Sequence, residues 1–295
     1  MITFKDITLP DKDIITSYTL TNTYRNCDFS FSNLCCWRFL YHTKFAIMDG
    51  FLVFKFWLKN RPVYMQPIGN GNLKELLNTL IASTESEGQP FAMLGICPDM
   101  KAYLENAFPG KFTFDIDRNH SDYIYLREDL ATLKGKKYQP KRNHINKFKK
   151  EYTYQYASIA SGNIQDCLLL EAEWQKANDQ KQGEDASDEN QAVQYALDHF
   201  EELGLTGGIL YANGKVAAFT YGMPINQDTF GVHVEKADVT VNGAYPMINY
   251  EFANRIPEQY IYINREEDLG IEGLRKAKCS YYPKILLDKY VVHST

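Results

Sequence analysis

Apolar and polar positions alternate in short runs through two stretches of this chain, and both stretches follow one plan. Residues 43–48 and 51–58 are β-branched and aromatic segments on either side of Asp49-Gly50, a dipeptide suited to a tight hairpin turn. A third strand is predicted at 63–66, followed by Gly69-Asn70-Gly71, a helix over 73–81 and an apolar strand at 91–96. The second stretch repeats the order: strands at 208–212, 215–221 and 229–235, with Asn213-Gly214 as the hairpin turn. Gly243, a helix from about 245 to 255 and a strand at 260–263 complete it. Along 229–235 the period of two puts His233 and Glu235 on one face, and Phe230, Val232 and Val234 on the other.

Two helices are predicted ahead of the second unit, over 163–177 and 187–203. The latter starts at a serine cap, stops at Gly204 and carries Val193, Ala196, Leu197 and Phe200 on one stripe. The polar, acidic stretch 178–190 between them is expected to be a mobile loop. The aromatics Trp37, Phe39, Tyr41, Phe45, Phe51, Phe54, Phe56 and Trp57 are expected in the core and between domains.

At 295 residues, with 44% hydrophobic and 14% aromatic positions, the chain has enough apolar surface for two cores. No apolar leader opens it, and the most apolar run, 51–58, is interrupted by Lys55 and far short of the ~20 residues a spanning helix needs. Six cysteines without a C-x-x-C pair predict reduced thiols and a cytoplasmic location. No metal-ligand, nucleophile-elbow or P-loop motif is present.

The charge is unevenly spread. Residues 134–150 hold eight lysines and arginines and no acid, in a chain of net charge -5. Pro140 suits the first turn of a helix there, with Ile145, Phe148 and Tyr152 as its apolar seam. This segment is either a solvated connector or a cradle for phosphate groups, Lys141 and Arg142 included.

Residues 260–283 concentrate the remaining chemistry. A strand runs into Asn264, Arg265, Glu266, Glu267 and Asp268; Gly270 and Gly273 follow, then Arg275, Lys276 and Lys278. This stretch resembles the C-terminal transferase domain of phosphatidylglycerol lysyltransferases and their soluble relatives. The repeated strand–helix plan is similar to the centre of the GNAT acyltransferase fold, and its duplication resembles Fem-type aminoacyl transferases. The resemblance implies an α/β (α+β) tandem GNAT-like fold of two mixed sheets flanked by helices. The corresponding units are 1–133, a basic connector helix 134–152, and 153–295.

The resemblance also implies an aminoacyl or acyl transfer from an activated ester. Aminoacyl-tRNA or another polyanion would be the partner, an amine, hydroxyl or lipid head group the acceptor, and no cofactor would be needed. Ligands of open α/β sheets lie beyond the carboxyl ends of the strands, so 235–238 and 264–268 are expected to converge. Glu235, Asp268 and Arg275 are the candidate catalytic residues; His233, Lys236, Asn264, Glu267, Lys278, Lys141 and Arg142 are candidates for substrate binding. A buried ion-pair network among Glu235, Asp268, Lys236 and Arg275 is the structural alternative. Gln66-Pro67-Ile68-Gly69-Asn70-Gly71 matches the Q-x-x-G-x-G pattern of CoA-dependent GNAT enzymes, making Gln66, Gly69 and Gly71 an alternative acyl-CoA site or simply a structural turn. A non-catalytic ligand-binding protein is the remaining alternative.

Overall fold

The structure, a computed structural model, describes residues 2–182 and 184–295, the side chains of 177–186 excepted. The first half supplies β1 (Lys5–Asp6), β2 (Lys44–Met48), β3 (Phe51–Leu58), β4 (Arg61–Tyr64), β5 (Ile68–Gly69), β6 (Ala92–Ile96), β7 (Phe112–Ile116) and β8 (Asp122–Leu126). The second half supplies β9 (Tyr154–Ser158), β10 (Thr206–Ala212), β11 (Lys215–Pro224), β12 (Thr229–Ala237), β13 (Tyr262–Asn264), β14 (Ile285–Leu287) and β15 (Tyr290–Ser294).

These strands build two mixed sheets. One has the order β1-β2-β3-β4-β6-β15-β7, with β5 also against β3; the other runs β14-β8-β13-β12-β11-β10-β9. In each sheet one pair is parallel, β4 with β6 and β12 with β13, and its strands are joined through a helix, Leu73–Ser86 or Ala244–Ala253. Both predicted hairpins are present. Asp49 and Gly50 have φ of 52° and 82°, and Asn213 and Gly214 51° and 78°, the left-handed pair a two-residue turn needs to match strand twist.

Sheet membership crosses the boundaries drawn from sequence. β8, inside 1–133, lies between β13 and β14 of the second sheet, while β15 lies between β6 and β7 of the first. Each half thus lends one strand to the other. Neither β8 nor β15 differs in hydrophobic pattern from a strand that stays home, so period alone could not reveal the exchange. One apolar core packs residues of both halves together, including Phe29, Phe31 and Phe54 with Val193, Leu197 and Phe219.

The two helices before β10 also differ from expectation. They run over Ile164–Gln182 and Glu184–Asp198, with a separate turn Phe200–Leu203. The stretch 178–190 is therefore mainly helical rather than loop, Ser187 lies inside a helix rather than capping it, and residue 183 is outside the described residues. Gly204 does end the segment, in the left-handed conformation at φ 75°. The basic segment is helical over Gln139–Glu151, with Ile145 and Phe148 buried.

Candidate functional site

The parallel pair β12–β13 holds together only over Thr229–Gly231 and Tyr262–Asn264, after which the strands diverge. The sequence puts a polar residue at every position from 264 to 268, and each of these five side chains meets a different set of partners. Asn264 is fully buried and donates to the Arg25 carbonyl and to Asp122, both at 2.7 Å. Its Oδ1 accepts the Glu266 backbone N–H at 2.7 Å, holding Glu266 at φ 57°.

Arg265 spans the divergence. Its Nη2 donates to Glu235 Oε1 at 2.9 Å, while Asn249, on the helix between the two strands, donates to Glu235 Oε2 at 3.1 Å. Arg265 Nη1 and Asn249 Oδ1 are buried without a hydrogen-bond partner among the described residues, which is costly unless something polar meets them. Lys141 reaches the same place from the basic helix, with Nζ 3.9 Å from the centre of the Tyr281 ring; Arg265 lies over that ring too, at 5.0 Å. Burial, reinforced by the Arg265 charge, pulls the Lys141 ammonium down to about 8.

Glu266 accepts from His233, Nδ1 to Oε1 at 2.8 Å, and from Asn33 at 2.8 Å, and His233 Nε2 meets Ser30 Oγ at 2.8 Å. His233 and Glu235 do not share a face as the period of two required. Tyr221 pairs with Val234 and Gly222 with Val232, so His233 is the extra residue of a β-bulge. Beyond it the faces exchange. Phe230, Val232 and Ala237 pack in the second-half core, while Val234 joins the core shared by the halves.

Lys236, the neighbour of Glu235 in the strand, points to the opposite face. The Lys236 ammonium lies over Trp174, 3.3 Å from the ring centre, with Glu189 at 2.8 Å and Glu171 at 3.9 Å. The alternative of one ion-pair network among Glu235, Asp268, Lys236 and Arg275 is not formed; the four residues fall into three separate groups.

Glu267 meets Lys289, a cation that no sequence pattern singles out, which also touches Asp122 at 2.9 Å and Asp28 at 3.0 Å. Burial opposes the Lys289 charge, but Asp122 and Asp28 hold its pKa well above the ordinary lysine range. Cys27, Asp122 and Glu267 bring a thiol and two carboxylates within 4.8 Å of one another, a spacing a metal could use. The Lys289 ammonium is the cation that bridges both carboxylates, and burial pushes the Cys27 thiol well up, away from the thiolate a metal needs.

Asp268 is fully buried and its oxygens are saturated. Arg275 donates twice at 2.8 Å, Tyr123 at 2.5 Å, the Gly270 N–H at 2.9 Å and Arg118 at 3.2 Å. The Arg275 fork in particular holds this carboxyl well below the usual range. Asp268 has no lone pair to offer as a base, and Arg275 is committed to it. Lys278, expected to touch substrate, is buried and donates to the carbonyls of Arg265 and Glu267, pinning the loop from behind.

The other sequence candidates are also accounted for. Arg142 donates to the carbonyls of Leu133 and Gly135 and to Gln139, closing the start of its helix. Lys134, Lys137 and Lys147 pair with Glu128, Asp129 and Glu151, so the segment's charge is partly compensated by its flanks; Lys136, Lys149 and Lys150 remain exposed. In the first half, buried Gln66 accepts from the Cys97 N–H at 2.8 Å. A Cβ at Gly69 would meet the Gly50 carbonyl at 2.1 Å, and one at Gly71 the Asp49 carbonyl at 2.3 Å. Close packing on the β2–β3 hairpin thus accounts for both glycines.

Sequence could have singled out Arg265, the one cation among the strand-end acids. Lys289, Ser30 and Asn249 carried no spacing relation to the acids they meet.

Two reciprocally completed mixed sheets, with polar groups crowded where a parallel pair diverges, define a tandem GNAT-like fold of the transferase type. A model of the family "Phosphatidylglycerol lysyltransferase, C-terminal" matches residues 22–293, and the chain belongs to that family. A conserved protein of unknown function from Bacteroides thetaiotaomicron is 61% identical, with a TM-score of 0.98 and full coverage of both chains. L-PGS from Bacillus licheniformis shares the fold at 14% identity, TM-score 0.67, covering 98% of this chain and 92% of that one. FemX does so at 9% identity, TM-score 0.61, covering 98% and 97%. An uncharacterized protein of Mycoplasmoides gallisepticum is 25% identical over 189 residues, 62% of this chain; the match spans 60% of that relative's length. Among the described residues no helix is long and apolar enough to cross a membrane.

Proposed function

We infer that the chain transfers an aminoacyl group from an activated ester to a hydroxyl or amine acceptor where β12 and β13 diverge. One observation carries this reading: Glu235, Arg265 and Asn249 form a buried polar group with a donor and an acceptor unmet, beside a lysine of lowered pKa. Arg265 Nη1 is suited to a carbonyl oxygen, and Asn249 Oδ1 with Glu235 to an ammonium. Lys141, partly neutral near pH 7, takes the proton of an attacking hydroxyl. The acceptor oxygen bonds to the ester carbonyl carbon, the ester C–O bond breaks, and the leaving alcohol recovers a proton. The donor is already activated, so positioning supplies much of the rate and no covalent enzyme intermediate is needed.

Membership of the lysyltransferase family and the FemX-like fold support aminoacyl-tRNA as the donor. The exposed lysines 136, 149 and 150 lie on or beside the helix that delivers Lys141 and suit its phosphates. A tRNA donor places the reaction in the cytoplasm, with the acceptor a lipid head group at the membrane surface or a small molecule.

The test is transfer of labelled lysine from lysyl-tRNA to phosphatidylglycerol vesicles or to small amines, with acetyl-CoA as the competing donor. The reading expects tRNA-dependent transfer that falls at least tenfold, about 1.4 kcal/mol of transition-state stabilisation, in Glu235→Gln. Acetyl transfer from CoA without aminoacyl transfer would overturn the donor assignment. Unchanged transfer in Glu235→Gln would overturn the site.

A further inference from the structure

A separate cavity of about 660 Å³ lies where the helix Phe31–Cys36, the β2–β3 hairpin and the helix Glu184–Asp198 come together. Neither Glu235 nor any residue of 264–268 lines it. Its volume falls in the range of small-molecule sites, roughly 300–1,000 Å³.

Its walls combine two kinds of group. Trp57, Phe39 and Tyr195 supply flat apolar surface, while Arg38 and Lys44 supply positive charge. The one acid among the described lining residues, Asp6, has 73% of its side chain exposed and is tied to Lys44 at 3.2 Å. Arg38 is held in place: Nη1 donates to the Cys35 carbonyl at 2.5 Å, and the guanidinium carbon lies 4.4 Å from the centre of the Tyr195 ring. A fixed guanidinium fork favours planar or tetrahedral oxyanions over a mobile ammonium's point charge, and it loses little freedom when it binds one. Arg38 belongs to the first half and Tyr195 to the second, so the wall exists only when the halves are assembled.

We propose that this cavity binds a small anion with a flat aromatic body, its carboxylate or phosphate on Arg38 and its ring between the aromatic walls. Lys44 adds field strength at the mouth. No covalent step is involved. The proposal does not depend on the transfer reading, since it concerns binding alone at a different place.

The test is calorimetric titration with two anions, adenosine monophosphate for the phosphate source and indole-3-acetate for the carboxylate source. Adenosine and indole serve as their uncharged counterparts. Saturable millimolar or tighter binding of at least one anion is expected, about tenfold stronger than its neutral counterpart. Arg38→Gln and Trp57→Ala should each weaken it about tenfold, with binding by the phosphate or the carboxylate probe alone identifying the source. Because Arg38 also holds the Cys35 carbonyl, Trp57→Ala and Lys44→Gln provide the reading if Arg38→Gln unfolds; Lys44→Gln should weaken binding and flatten its salt dependence. Equal affinity for charged and neutral probes, binding of none of them at millimolar concentration, or binding indifferent to Trp57→Ala would overturn the proposal.

Discussion

Replacing Asp268 by asparagine separates a stability clamp from a reactive carboxylate. The wild-type side chain is fully buried and accepts five hydrogen bonds, three of them from Arg275 and Arg118. Breaking a fully buried ion pair costs roughly 3–5 kcal/mol because the abandoned charge stays dry. Here both arginine side chains are 38% exposed, so water solvates them when Asp268 is neutral. The lost charge-assisted bonds, at roughly 1.5–3 kcal/mol net, then set the scale, and we expect about 2–3 kcal/mol. In a chain of 295 residues that lowers Tm by roughly 3–5 °C. The pH dependence follows from the depressed carboxyl pKa. Such a group adds stability above its unfolded value, near 3.9, and loses it as pH falls through the lower folded value. Urea unfolding should therefore show a constant gap between wild type and Asp268→Asn from pH 8 to pH 5, closing only below about pH 4. A gap under about 0.5 kcal/mol, or one that closes between pH 5 and 7, would refute the clamp.

Lys289→Met should lower stability by about 3–5 kcal/mol at pH 7, since Asp122, Asp28 and Glu267 lose their shared ammonium. Burial already raises the Asp122 pKa, and without Lys289 it rises further. The folded variant then binds more protons than its unfolded chain above pH 4, so denaturant unfolding should show it gaining stability as pH falls from 7 to 5. If tRNA binds, replacing Lys136, Lys149 and Lys150 with glutamine should reduce the log–log salt slope by roughly 0.7–0.9 for each phosphate no longer neutralised, measured by filter binding across salt concentrations. Arg142→Gln should instead lower Tm with little change in that slope, because Arg142 closes its own helix.

The parts of the fold governed by local rules were legible in the sequence. Asp49-Gly50 and Asn213-Gly214 demanded hairpins, and the repeated strand–helix order pointed to two GNAT-like sheets. Placement of β8 and β15 was not legible, because partner choice between equally apolar strands depends on the assembled halves. The bulge at His233 was hidden for a related reason: one extra residue in a strand leaves no trace in composition, yet it reverses the faces beyond it and parts Glu235 from His233. At the candidate site, proximity to the strand end singled out residues 264–268 as a group. It could not separate residues that hold the loop, such as Asp268 and Lys278, from those with unmet bonding capacity, such as Arg265. That distinction rests on partners over a hundred residues away, among them Tyr123 and Arg118.

The central claim, that Lys141 takes a proton beside Glu235 and Arg265 during transfer, is tested most directly by a pH–rate profile. Single-turnover transfer from lysyl-tRNA to the hydroxyl of phosphatidylglycerol, corrected for spontaneous ester hydrolysis, should rise with pH. It should level off above a midpoint near 8, the value to which burial brings the Lys141 amine. Lys141→Gln should lose that rising limb while binding tRNA and unfolding as the wild type does. A profile that is flat through pH 7–9, or one that keeps the same limb in Lys141→Gln, would contradict the account.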